Sequence, residues 1–377
     1  MNQQPDIDQD WQEEADMEVA IEEAMHALEA ANLLNQSALG NSPVDKHALD
    51  VAVEKYIDYF QLPQAALESD NTQPGTVGGK LKKVIVYLYS LAQKLFRFFF
   101  DYLTNKKIAA KRYVALAKNL IGRIDDYQAV SFASVEKIAN KPLAAAICID
   151  SVVPKDIVSQ YLTILSNYSK QLNHTAIDES IALIKEAKVG DMDKTSKASV
   201  ELYSVLKAGA EASYTLVSNA KDHPLFRSES NVNDYYIAGP YLGQMYSLIE
   251  ISKEPDKDGK FYYRCVKKRD NSKPTRLNGM EALPVDNILA ICRAAVKHCN
   301  NVSINSTTEA RLQKILRDAK FLSTNEPTET SIVALRQFAC VVKNSYATHL
   351  ALSMDTTKVL LRYASESVSN YEKLKNS

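Results

Sequence analysis

KLKKVIVYLYSLAQKLFRFFFDYLTNKKIAAKRYVALAKNLIGR, residues 80 to 123, carries eleven Lys or Arg and a single acid, Asp101. Leu81, Val84, Ile85, Leu88, Leu91, Leu95, Phe98, Phe99 and Tyr102 recur at steps of three and four, which predicts an amphipathic helix over 80–104. A membrane span needs ~20 apolar residues. Here Lys94, Arg97 and Asp101 would lie inside the bilayer at a cost of about 2.5–3.5 kcal/mol each near its centre. The pattern therefore fits a core or interfacial helix rather than a span. From Lys106 to Ile124 the chain reads as a second, basic helix with six Lys or Arg and no acid.

Upstream the character reverses. Residues 1–72 hold sixteen Asp or Glu against two Lys, so the total of -1 joins a strongly acidic leader to a basic remainder. Trp11, Met17, Val19, Ile21, Met25, Leu28 and Leu33 place one amphipathic helix in the first 34 residues. Leu49, Val53, Tyr56 and Phe60 place another between about Pro43 and Phe60. QLPQAALESDNTQPGTVGG, Gln61–Gly79, breaks the pattern with two prolines and three glycines. The expected organisation is a leader over 1–68, a linker over 69–79 and a body over 80–377.

Only 11 Gly and 12 Pro occur in 377 residues. Scarce breakers favour helix, because each one inside an element costs roughly 1–3 kcal/mol. The fold class expected is mainly α, a multi-helix body with one β-hairpin and an acidic helical leader. Pro142, Pro154, Gly190 and Pro224 mark boundaries, and segments 155–188 and 193–220 are long enough for helices of several turns. The hairpin falls at about 245–267, within 240–273, where the aromatic and β-branched runs MYSLIEI and FYYRCVK flank KEPDKDG. Helices resume over 286–376: Asp286–Cys299, then a capping box Ser306-Thr-Thr-Glu309, then two final helices at about 330–354 and 355–374.

Local signatures of catalysis are absent: there is no P-loop, G-x-G-x-x-G, G-x-S-x-G or H-E-x-x-H. Cys292, His298 and Cys299 share one predicted helix, but cysteines seven residues apart are ~10 Å apart along its axis, too far to share one zinc. They read better as core residues. Glu254-Pro-Asp256-Lys-Asp258-Gly259 resembles the start of a calcium loop, yet the closing acid would fall on Cys265, and strands rather than helices flank it. A solvated hairpin turn is the better reading. His26, His47, His174, His223 and His349 show no partner pattern. No catalytic, cofactor or metal residues are assigned, and a non-enzymatic role is expected. Five widely spread cysteines do not form a disulfide framework. The first thirty residues hold no Lys, Arg or apolar run, so no secretory signal is expected.

The basic segment carries the strongest signal. Lys and Arg interleaved with rings suit a polyanion, whose phosphates bind through counterion release and whose exposed bases stack. Lys106, Lys107, Lys111, Arg112, Lys118 and Arg123 are the candidate contacts. The alternative is a peripheral membrane-interface protein, with helix 80–104 inserted among anionic lipids.

An acidic helical leader, a Pro/Gly linker, a basic helical body with one hairpin, and a C-terminal helix pair ending in Tyr363-Ala-Ser-Glu-Ser-Val-Ser-Asn-Tyr371 together resemble the internal head, or inner virion structural, proteins of giant tailed bacteriophages. The resemblance implies an N-terminal propeptide removed by a prohead maturation protease, cleaving after a glutamate two residues beyond a small or aliphatic side chain. Ala66-Leu67-Glu68 fits at the head of the linker; Ala27-Leu28-Glu29 also fits but sits in a predicted helix. It implies residence in the head interior, after assembly in the host cytoplasm, with packaged DNA (bound non-specifically) and capsid or other inner virion proteins as partners. Cleavage after Glu68 would remove fifteen acids and two lysines and unmask the basic helix.

Overall fold

The computed structural model describes residues 102–127, 135–171, 174–220, 223–226, 232–270, 279–304, 330, 334–335, 337–338 and 347–376. The acidic leader, the cleavage motif Ala66-Leu67-Glu68, the linker, nearly all of the helix expected over 80–104 and the capping box at 306–309 lie outside the described residues. The described part is predominantly helical with one antiparallel sheet. The chain divides into two units: residues 1–103, 183–195 and 313–339, and residues 104–182, 196–312 and 340–377.

Residues 102–124 form one helix, α1, closed by a 3-10 turn at Asp125–Tyr127. The expected division at residue 105 is absent, because no Gly or Pro interrupts the chain there. After α1 come α2 (Lys141–Ile147), α3 (Ile157–Gln171), α4 (His174–Val189) and α5 (Met192–Ser213). Asn140 caps α2 by accepting the Leu143 N–H at 3.0 Å, and Pro142 occupies the first turn, where its missing N–H costs nothing. Within the first unit, Gly190 ends α4 at φ 78°, and Asp191 opens α5 by accepting the Lys194 N–H at 3.1 Å. The remaining helices are α6 (Val285–Ile304) and α7 (Thr348–Asn376). Instead of two final helices meeting at 354/355, α7 runs through Asp355 unbroken, because the carboxylate is used in a tertiary ion pair rather than as a cap.

The sheet belongs to the second unit and has the order β1-β2-β3-β4, all antiparallel: β1 (Thr215–Leu216), β2 (Asn233–Tyr241), β3 (Met245–Ser252) and β4 (Tyr263–Arg269). The expected hairpin is β3–β4, in a register that sets Ile249 opposite Cys265. It is half of a four-stranded sheet and not a lone element. On one face Tyr235 and Leu248 cluster with Ala220, Leu225 and Phe226. The KEPDKDG turn folds on itself: the Asp256 carboxylate accepts the N–H groups of Asp258 at 2.9 Å and Lys260 at 2.8 Å. Ser199 on α5 donates its hydroxyl to the Gly259 carbonyl at 2.6 Å, which anchors the turn.

The main core of the second unit joins α1, α2, α3, α6 and α7 through residues such as Leu120, Ile124, Ile147, Tyr161, Ile288 and Leu361, all fully buried. α7 also pins extended chain. The Tyr363 hydroxyl donates to the Glu281 carbonyl at 2.6 Å, Ser367 Oγ accepts the Leu283 N–H at 3.0 Å, and Asn370 Nδ2 donates to the Glu136 carbonyl at 2.9 Å. Spaced by four and three, these side chains share one face of the helix. The Tyr363–Tyr371 run thus satisfies backbone groups that the loops leave without ladder partners.

Candidate polyanion-binding face

α1 is two-sided. Lys106, Ala110, Ala117, Leu120 and Ile124 are buried, while Thr104, Ile108, Lys111, Ala115 and Lys118 lie on the exposed side with Arg112, Leu116 and Asn119. Lys111 and Lys118, seven residues apart, lie along one stripe, and Arg112 flanks it.

The structure divides the six candidate cations by burial and by ion-pair partner. Lys111, Arg112 and Lys118 are exposed and have no ion-pair or hydrogen-bond partner among the described residues. Lys107 is half-buried beside them; burial and then repulsion from Lys111 hold its pKa below the usual lysine value. Lys106 is 7% exposed, with Nζ 4.0 Å from Asp355 Oδ1. Lys267 on β4 reaches the other oxygen of the same carboxylate. Burial alone would raise the Asp355 pKa, but Lys267 and Lys106 outweigh it and hold the group below the usual aspartate value. Arg123 forks onto Glu372 of α7. Lys106 and Arg123 therefore fasten α1 to its own unit, and four cations face outward. Burial sets Lys106 apart and the ion pair with Glu372 sets Arg123 apart, and the basic composition the six share carried no sign of either.

The other candidates resolve into core and turn. Cys292 and Cys299 are fully buried, and burial pushes both thiols up to about 12, where neither is a thiolate at neutral pH. His298 stands edge-on to the Tyr168 ring at 5.1 Å, 6% exposed. In the KEPDKDG turn the Asp256 carboxylate serves the turn's own backbone, as described above, and the Asp258 carboxylate pairs with the Lys260 ammonium at 3.5 Å. Among the described residues no three His, Cys, Asp or Glu side chains gather in a metal-holding group, and no helix is long and apolar enough to cross a membrane.

One polar cluster had no sequence signal. Tyr214 Oη lies 2.9 Å from Ser247 Oγ and 2.6 Å from His349 Nε2, and Ser247 Oγ lies 3.9 Å from Cys265 Sγ. Ser247, Cys265 and His349 are each 3% exposed or less. The cluster joins the α5–β1 connection, β3, β4 and α7 as an internal hydrogen-bond network, with the Cys265 thiol pushed up to about 12 by burial. No protein family, curated protein or solved structure matches this chain.

Proposed function

We propose that this protein is a non-enzymatic structural component of the interior of a phage head, in which the exposed side of α1 lies against packaged DNA, bound without regard to sequence. On this reading its acidic leader is a propeptide, removed after about Glu68 by the prohead protease. The observation that carries the proposal is the row Lys111, Arg112 and Lys118, exposed and unpartnered among the described residues. They stand on a helix with no acid anywhere in residues 102–124. Such a face neutralises phosphates and releases counterions. The charge of the leader supports the rest: fifteen acids ahead of the cleavage point would compete for the same cations until removed.

A second reading has its own observation. Ile108 and Leu116 are 46% and 37% exposed on the same side of α1, as a lipid-facing helix would have them.

One experiment separates the two. Retention of the chain beginning at Ser69 is measured on immobilised duplex DNA and on anionic vesicles across a salt series. The DNA reading expects a log–log salt slope that drops by about 3 when Lys111, Arg112 and Lys118 are replaced by Gln. Retention on vesicles alone would overturn it in favour of the membrane reading. The propeptide is tested by mass spectrometry of purified particles, where a chain that still begins at Met1 contradicts removal.

A further inference from the structure

A cleft of about 590 Å³ opens in the second unit, bounded by residues 137, 151–157, 279–287 and 363. It lies apart from the exposed side of α1, and neither the DNA nor the lipid reading uses it.

Its walls are fixed by hydrogen bonds rather than by packing alone. Ile138 and Met280 exchange backbone bonds at 2.7 and 3.0 Å, which joins two extended segments edge to edge. α7 holds one of these segments from behind through Tyr363 and Ser367. The opposite rim is a tight turn in which Ile149 and Val152 exchange bonds at 2.9 Å. Its central residues, Asp150 and Ser151, have φ of 48° and 65°. Two successive non-glycine residues in the left-handed region cost on the order of 1 kcal/mol each.

The chemistry of the lining is asymmetric. Lys137 and Lys155 come from separate segments, and neither has a hydrogen-bond or ion-pair partner among the described residues. The Asn287 side-chain amide adds a neutral donor. The one carboxylate in the lining, Glu281, is exposed like the two lysines, and the three together leave the lining with a net positive charge. The lining also holds the apolar side chains of Val153, Met280 and Leu283. A pocket of this size with an apolar body and a few converging polar groups is the usual form of a small-ligand site.

We propose that this cleft binds a small phosphate monoester. Its dianionic head is held by the ammonium groups of Lys137 and Lys155, and its organic body lies on Val153, Met280 and Leu283. Two ammonium groups match a dianion with three acceptor oxygens better than a monovalent carboxylate.

The test is calorimetric titration of the full chain, in phosphate-free buffer, with phenyl phosphate as the probe and with phenol and benzoate beside it. Phenyl phosphate is expected to bind one to one, and benzoate more weakly. Phenol lacks the charge and is expected to give no saturable signal. Lys137→Ala and Lys155→Ala are each expected to weaken binding about tenfold, the worth of one charge-assisted contact. Both side chains are exposed, so an unchanged melting temperature shows that the fold is intact. Lys257→Ala, an exposed lysine of the β3–β4 turn outside both the cleft and α1, serves as the control and is expected to change nothing. The proposal is overturned by absence of binding at about 1 mM probe, an affinity floor near -4 kcal/mol. It is equally overturned by undiminished binding to the Lys137→Ala/Lys155→Ala double variant, or by an equal loss in Lys257→Ala.

Discussion

Arg123, near the end of α1, grips Glu372 near the end of α7 with two parallel bonds, Nε to Oε1 at 2.8 Å and Nη2 to Oε2 at 2.6 Å. The hydrogen bonds and charge of Arg123 hold the Glu372 carboxyl below the usual glutamate range. Both side chains are 35% exposed, so the pair contributes only about 1 kcal/mol. A depressed carboxyl stabilises the fold above its unfolded pKa near 4.3 and loses that contribution as pH falls below it. Arg123→Ala should therefore lower the melting temperature by about 2 °C at pH 7, and by less near pH 3. Because Arg123 is engaged inside its own unit, the same variant should leave the salt slope on DNA unchanged. A slope that falls as it does for Lys118→Gln would return Arg123 to the contact face.

Asp355 is the shared partner of two buried lysines, Lys106 and Lys267. Asp355→Asn would leave both ammonium groups buried without that carboxylate, a change that costs on the order of 3 kcal/mol. Adding Lys267→Met removes one of the stranded charges and should recover a part of the loss. Urea unfolding midpoints of the single and double variants check this. A double variant less stable than Asp355→Asn alone would show that Lys267 acts through something other than this pair.

The same residue shows where sequence reading stopped. Asp355 in a helical pattern looks like the start of a new helix, since aspartate favours caps; its actual partners lie about 250 and 90 positions away, where no local pattern points. The β3–β4 hairpin was legible because alternating apolar residues flank a turn whose aspartate chemistry is local. β2 was not, because Gly239-Pro240 interrupts NDYYIAGPY where the register shifts between Ala238 and Tyr241. β1 has only two residues and no pattern of its own. The basic helix was plain from composition, but the separation of Lys106 and Arg123 from Lys111, Arg112 and Lys118 depends on which face α6 and α7 cover. The cleft joins residues 137, 155, 287 and 363, which only the folded chain brings together.

His298 carries a second pH signature. Burial lowers its pKa to about 4, and Nε2 has no hydrogen-bond partner among the described residues. Between about pH 6.5 and 4 the unfolded chain binds a proton there that the folded chain does not, so stability falls as pH drops through that window. The full loss is on the order of 3 kcal/mol. His298→Phe keeps a ring against Tyr168 and removes the titrating group. It should flatten the stability profile between pH 6.5 and 4.5, measured by urea unfolding at several pH values. An unchanged profile would assign the acid sensitivity to other groups.

Gly190 and Gly259 have nearly equal φ, 78° and 77°, but differ in what surrounds them. A Cβ on Gly190 would meet nothing within 4 Å among the described residues, whereas one on Gly259 would stand 2.6 Å from the Ser196 carbonyl oxygen and 3.1 Å from its Cα. The first substitution meets only the backbone penalty of the left-handed region, about 1 kcal/mol for alanine and less for asparagine. The second also pushes the β3–β4 turn off α5 and strains the Ser199 hydrogen bond to Gly259. Gly259→Ala is therefore expected to lower the urea midpoint more than Gly190→Ala. Changing alanine to asparagine should rescue position 190 and leave position 259 impaired, because asparagine relieves the torsion but not the contact with Ser196. Equal costs at the two sites would mean that the turn can lift from the helix freely, and that its anchoring to α5 contributes little to the fold.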